Sequence, residues 1–375
     1  MEVVGIVAEY NPFHNGHLYQ IEMVRKMYKD ALIAVVIPSS FCQRGCLSVL
    51  NKWDRTDIAL NNGVDIVLEL PFVYASQSAD IFANGALKIL NNIGCTKVVF
   101  GSEINNVDLL KDIAKFQVDN EVSNIVKEEL SKGVNYPTAL SNLIYNKFNI
   151  KISSPNDLLA ISYIKEIIRN KYDLEPVSIK RTNDYHSVTT SGKIISATAI
   201  RDLIDKKKSI KKYVPFDPKK YKIYENTDYF ELLKYKINCD KDILNKYQSV
   251  DEGIESRIIK YINVSNSTDE LIANIKTKRY TYNRINRMLV HILTNLTKEE
   301  CNDIRLNYIR LLGISSLGRK YLNGCKNSFD IPLITSYKNK NDKLLEIEKR
   351  VNTIYSIIVK DNSLIEREFK NPIVK

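Results

Sequence analysis

Glycine and proline are scarce in this chain, 13 and 10 in 375 residues. That excludes collagen-like and Pro/Gly-rich disordered classes, in which these residues dominate. Long apolar runs are missing too. None approaches the roughly 20 residues that cross a bilayer as a helix, and no basic-then-apolar leader precedes Val3–Val7. The expectation is therefore a cytoplasmic protein with no membrane partner. Cysteine is sparse: Cys42, Cys46, Cys95, Cys239, Cys301 and Cys325. Only the first two lie close together and no second pair answers them. This favours free thiols in a reducing compartment over a zinc site, and no metal-ligating residues are assigned.

Charge of one sign is missing from the first part of the chain. Residues 1–200 carry 20 Lys+Arg against 21 Asp+Glu, whereas residues 201–375 carry 35 against 23. The net charge of +11 thus arises wholly in the second part. A basic surface there suits a phosphate polymer, whose counterions are released on binding; a solvated lysine-rich face fits the same numbers.

What the sequence does contain is alternation. Val3–Ala8, Ala31–Ile37, Asp65–Leu70 and Lys97–Phe100 read as strands, with helices at His17–Lys29 and Ser76–Asn92. Strands joined by helical crossovers imply an α/β fold, a Rossmann-like, doubly wound parallel sheet. Ligands gather beyond the carboxyl ends of such strands, which places the loops after Ala8, Ile37, Leu70 and Phe100 around one crevice. Pro215-Phe216-Asp217-Pro218 reads as a linker. Beyond it helical periodicity marks Asp251–Asn263, Thr268–Ile275, Tyr282–Leu296 and Lys298–Leu311. Two domains are expected, residues 1–214 binding a nucleotide and residues 215–375 mainly helical and basic.

Only four histidines occur, and His14 and His17 are two of them. They follow the first strand and a turn with Pro12, and they open a helix. Residues i and i+3 share a helix face, so both imidazoles can reach one phosphate at the positive helix end. Gly16 between them permits close backbone approach. The arrangement suits transfer at the α-phosphate of a nucleotide, with cationic donors offsetting the developing charge. Two histidines that merely cap a helix would give the same spacing.

Asn11-Pro12-Phe13-His14-Asn15-Gly16-His17 resembles the HxGH signature of the nucleotidyltransferase superfamily. Its second signature is resembled by Ile195-Ser196-Ala197-Thr198-Ala199-Ile200-Arg201, nearly 180 residues on, with Ala197 in place of a serine. Ser196 and Thr198 keep hydroxyl donors, and Arg201 can pair with phosphate bidentately. Phe41–Gly45, Glu69–Phe72, Gln77–Asp80, Phe100–Glu103, Ser154–Asp157 and Thr277–Thr281 are further similar to segments of the bacterial tRNA(Met) cytidine acetate ligase family. That resemblance implies a reaction of ATP with acetate to give acetyl-adenylate, then transfer to the N4 amine of the wobble cytidine of elongator tRNA(Met). It implies His14, His17 and Arg201 as catalytic residues. For ATP it implies Val7, Ala8, Glu9, Tyr10, Asn11, Pro12, Phe13, Asn15, Gly16, Leu18, Tyr19, Gln20, Gly101, Asn156, Arg181, Thr182, Ser196 and Thr198. Magnesium is expected with the ATP phosphates.

For RNA the candidates are Arg44, in a polar loop, and Lys278, Arg279, Arg284 and Arg287, where arginines alternate with stacking tyrosines. The bland readings are a turn glycine at Gly101, an N-cap at Asn156, a surface charge at Arg181, a surface loop at Arg44, and a basic face on a core helix around Arg287. Two other functions remain: a nucleotidyltransferase for a small phosphorylated metabolite, and a non-enzymatic RNA-binding protein. Intact His14, His17 and Arg201 argue against the second, and the charge of residues 201–375 against the first. The oligomeric state is left open.

Overall fold

Val3–Val7 (β1) and Leu32–Pro38 (β2) are apolar runs rich in β-branched residues and almost wholly buried, the pattern of strands covered on both faces. Ile66–Leu70 (β3), Lys97–Ser102 (β4) and Glu175–Lys180 (β5) complete a five-stranded parallel sheet. The computed structural model describes residues 1–375 apart from 133, 135, 182–191, 226–227, 278 and 339–341. The strand order is β5-β4-β1-β2-β3. The chain runs outward from β1 through β2 and β3, then returns to place β4 on the other side of β1. A crevice therefore opens between the carboxyl ends of β1 and β4, the switch point where ligands bind.

The sheet does not stop at β3. Ile309–Ile314 (β6) pairs antiparallel with β3, and Leu333–Ile334 (β7) and Ile373–Val374 (β8) pair parallel with β6. The helix expected over Lys298–Leu311 ends at Asp303. All six residues of β6 are buried, Arg310 among them, and so short a buried segment fits a covered strand as well as a helix when periodicity alone is read. Because the sheet crosses the boundary expected at 214/215, the C-terminal part is not a free-standing helical body. Charge fastens the junction: Arg310, 0% exposed, pairs with Glu368 and Glu69, and Lys52 pairs with both carboxylates.

Helices Ile254–Ile262, Thr268–Ile275 and Tyr282–Leu293 form where the sequence predicts them, and Phe230–Cys239, which it does not predict, joins them; together they bury Leu233, Ile258, Ile272 and Leu289. His291 is structural, its ring nitrogens on the carbonyls of Ser76 at 2.7 Å and Gln248 at 3.1 Å. Among the described residues no helix is long and apolar enough to cross a membrane.

Candidate active site

The loop after β1 is anchored by buried aromatics. Tyr10 and Phe13 pack at 4.6 Å between ring centroids, and the edge of His17 meets Tyr10 at 4.9 Å. Asn11 is buried with all its polar atoms used. Its amide donates to the Leu47 carbonyl and the Cys42 sulfur, both at 3.1 Å, and its side-chain oxygen accepts the Val49 N–H at 2.9 Å. These bonds fix the loop to residues 41–49, where Phe41 and Leu47 bridge a short hairpin.

His14 is the N-cap of helix Asn15–Met27. Its Nδ1 accepts the Gly16 N–H at 3.0 Å, and Nδ1 of His17 accepts the His14 N–H at 3.1 Å. The rings stack at 3.7 Å. An imidazole whose Nδ1 accepts must, when neutral, carry its proton on Nε2. Both are neutral at physiological pH. Burial, with Arg181 and Arg201 nearby, draws His14 down to about 3. Burial, then His14 and Arg181, holds His17 well below its usual range. The pair therefore offers two preset Nε2–H donors rather than the cations expected from the sequence. The capping reading is borne out, and it leaves room for a phosphate: the Nδ1 atoms cap the helix, while the Nε2–H groups take no part in the cap. Gly16 serves this fold-back first: a Cβ there would lie 2.9 Å from Cε1 of His14.

Positive charge comes from elsewhere. Arg201 sits on helix Ala197–Asp205 and reaches across to donate to the Asn11 carbonyl at 2.8 Å and to the Thr198 hydroxyl at 3.1 Å. Ser196 caps that helix, accepting from the Ala199 N–H; its own proton remains free to donate. On the opposite wall, Glu103 gathers three predicted or neighbouring groups. Asn156 donates to it at 2.7 Å, Arg181 pairs with it at 3.0 Å, and Ser154 donates to its other oxygen. Ser154, not Asn156, caps helix Pro155–Asn170, which frees Asn156 for the cavity. Gly101 leaves room for the Arg181 side chain, 3.2 Å from where a Cβ would stand. Sequence reasoning misses Glu103, although it ends the family-like segment Phe100–Glu103.

His14, His17, Ser196, Arg201, Asn156 and Arg181 line one cavity of about 580 Å³, with Glu103 and Ser154 outside its lining, a volume within the range of ordinary ligand sites. Val7, Ala8, Glu9, Tyr10, Asn11, His14, Gly16, His17, Tyr19 and Gln20 line it, as do Gly101, Asn156, Arg181, Ser196, Thr198 and Arg201. Pro12, Phe13, Asn15 and Leu18 are not in its lining. Phe13 is wholly buried, and Asn15 ties the helix start to the carbonyls of Lys193 and Lys212. Those four hold the loop rather than face a ligand. Thr182 lies outside the described residues. The loop after Leu70 was expected at the crevice, but Glu69 belongs to the buried charge cluster and Phe72 to the core. Lys180 and Arg181 at the end of β5 take its place.

The basic candidates divide. Arg44 and Arg287 line the same cavity as the histidines, across the boundary expected at 214/215. Gly45 brings them together: its φ is +79°, and a Cβ would stand 2.8 Å from the Arg287 backbone nitrogen. Asn286 donates to the Arg44 carbonyl at 2.9 Å. Burial, with Arg284 and Arg44 beside it, pulls the Arg287 guanidinium down to about 10. Arg284 stacks on Tyr280 at 4.3 Å, and Arg279, 62% exposed, pairs with Glu252 at 2.9 Å. Lys278 lies outside the described residues. Among those residues no group of three or more His, Cys, Asp or Glu could hold a metal ion.

Comparison with known proteins gives concordant matches. A family model described as HIGH Nucleotidyl Transferase matches residues 1–370. The curated tRNA(Met) cytidine acetate ligase of Geobacillus sp. (strain WCH70) is 37% identical over 397 residues, covering 99% of this chain and 99% of that protein. The protein of the same name from Bacillus subtilis (strain 168) is 34% identical, covering 96% and 93%. The crystal structure of Thermotoga maritima TmcAL in its apo form I superposes with a TM-score of 0.91 at 30% identity, covering 100% of this chain and 99% of that one. The same protein bound with alpha-thio ATP gives 0.88, also at 30% identity.

Proposed function

The chain belongs to the HIGH nucleotidyl transferase family and, within it, to the tRNA(Met) cytidine acetate ligases, and we propose from its cavity that it joins acetate to ATP and passes the acetyl group to a tRNA cytidine. The observation that carries this reading is the pair of neutral histidines, each with Nδ1 spent on a backbone N–H and Nε2–H left over.

ATP enters with its base and ribose toward Gly101, Asn156 and Arg181 and its phosphates at the start of helix Asn15–Met27. That helix has no acidic residue in its first turn to compete for the positive end. An oxygen of acetate attacks the α-phosphorus, and the bond to pyrophosphate breaks. Charge then grows on the α-phosphate oxygens and on the leaving group. The Nε2–H groups of His14 and His17, the hydroxyls of Ser196 and Thr198, and the guanidinium of Arg201 are fixed in advance to meet it. The product is acetyl-adenylate, an anhydride whose acyl carbon is open to the N4 amine of the wobble cytidine. Arg44 and Arg287, on the other side of the cavity, suit the backbone phosphates of elongator tRNA(Met). The described residues do not form a protein-made metal site, so magnesium would arrive on the ATP phosphates, and no step here depends on it.

ATP–pyrophosphate exchange tests the reading. Exchange that requires acetate, and acetylated cytidine when elongator tRNA(Met) is added, are the expected results. Exchange that ignores acetate but requires a phosphorylated metabolite would assign the site to small-molecule nucleotidyl transfer instead.

A further inference from the structure

Five side chains in the cavity lining are cationic: Arg44, Lys180, Arg181, Arg201 and Arg287. Among the described residues lining it, Glu9 is the single carboxylate. A negative charge repels both the ATP phosphates and the acid to be activated, so binding either substrate does not account for it. Nor is Glu9 a loose surface group. Its Oε1 accepts the Gln43 N–H at 2.7 Å, and its backbone carbonyl accepts from Arg55 at 2.8 Å. It lines the same cavity as the histidine pair and is bonded to the hairpin that carries Arg44.

We propose that Glu9 is the general base of the second step, a role that rests on the ligase function proposed above. The exocyclic amine of cytosine delocalises its lone pair into the ring and is a weak nucleophile. It forms an amide only as it loses a proton. The amine nitrogen attacks the acetyl carbonyl carbon, and one amine proton passes to the Glu9 carboxylate. The bond from that carbon to the adenylate oxygen breaks, and AMP leaves with the electron pair. The proton on Glu9 then returns to solvent, which leaves N-acetylcytidine, AMP and the starting enzyme.

Other groups in the cavity are already committed. His14 and His17 hold their protons on Nε2 because their Nδ1 atoms are occupied. The sulfur of Cys46 accepts a hydrogen bond from Cys42, the main reason its thiol is drawn below the usual range. A further sign marks this corner as built for a ligand. The Tyr163 hydroxyl is buried, lines the cavity and has no hydrogen-bond partner. Burial, then the charge of Glu9, pushes its pKa well up. It remains a donor, and the carbonyl oxygen of an acetyl group would complete it.

Two substitutions separate a base from a positioning residue. Glutamine keeps the acceptor for the Gln43 N–H, and alanine does not. Acetate-dependent ATP–pyrophosphate exchange and single-turnover transfer of acetyl to an elongator tRNA(Met) transcript are measured on the full chain. Glu9→Gln and Glu9→Ala are both expected to slow transfer by about 10²–10⁴-fold and to depress transfer far more than exchange, because general-base loss touches only the proton-transfer step. Transfer restored by glutamine but not by alanine would reduce Glu9 to a positioning residue and overturn the inference. Exchange and transfer falling together in Glu9→Gln would overturn it too, by placing Glu9 in the first step. If the parent chain shows no acetate-dependent exchange, the ligase function itself fails, and this role with it.

Discussion

A histidine whose Nδ1 accepts a helix-capping N–H does so uncharged, and here burial enforces this. The sign of the resulting pH dependence follows directly. In the unfolded chain His14 and His17 take up protons near their ordinary value of about 6.5, whereas in the fold His14 is drawn down to about 3 and His17 well below 6.5. Between those limits the unfolded chain binds more protons, so the stability contributed by the neutral pair is complete above about pH 6.5 and is lost as pH falls toward 3. With only four histidines in the chain, NMR can follow each ring. The Cε1–H shifts of His14 and His17 are expected to stay flat from about pH 8 to 5, and a midpoint near 6.5 in either would remove the neutral-donor account. His17→Ala removes one donor from the developing charge. Adenylate formation should fall about 10²–10³-fold while ATP affinity, measured by calorimetry with a non-hydrolysable analogue, changes less.

At the scale of elements, the hairpin of residues 41–47 and helix Tyr282–Leu293 meet backbone to backbone at Gly45, so Arg44 and Arg287 share one cavity wall with the histidine pair. Two arginines one turn apart therefore have different expected effects. Arg284 lies on Tyr280 outside the cavity lining. Arg284→Glu should weaken tRNA binding and lower its salt slope by about one, costing binding far more than exchange. Arg287 lines the cavity, so Arg287→Glu should depress acetate-dependent exchange as well. Equal exchange in the two variants would place Arg287 outside the first step. Much of this site is legible in the residues: β1, its turn, the two histidines and the Ser196–Arg201 segment are local patterns. The shared wall is not legible, because residues 44 and 287 are brought together only by the packing of helix on hairpin.

Across the whole molecule, the four buried charges Lys52, Glu69, Arg310 and Glu368 join segments from both ends of the chain. Removing one partner leaves uncompensated charge in the interior, which costs about 3–5 kcal/mol. Arg310→Met should therefore lower the stability measured by urea by that order. The one tryptophan, Trp53, reports on this junction. It is buried 4.0 Å under the Arg367 guanidinium and 5.2 Å from that of Arg310. If residues 1–214 and the C-terminal strands form one cooperative unit, Trp53 fluorescence and far-UV circular dichroism will show coincident unfolding. Two separated transitions would restore an independent C-terminal body.

Sequence by itself determined the parallel α/β sheet, the nucleotide end of its crevice and the residues of both signatures, because strand alternation, helix starts and motif spacing act over a few neighbours. Only the tertiary structure decided that Ile309–Ile314 is a strand on the edge of β3, that Glu103 gathers Asn156 and Arg181, and that the histidines are neutral. Each of these depends on what a residue is buried against. Those partners are often more than fifty positions away along the chain, and periodicity along one segment carries no record of them.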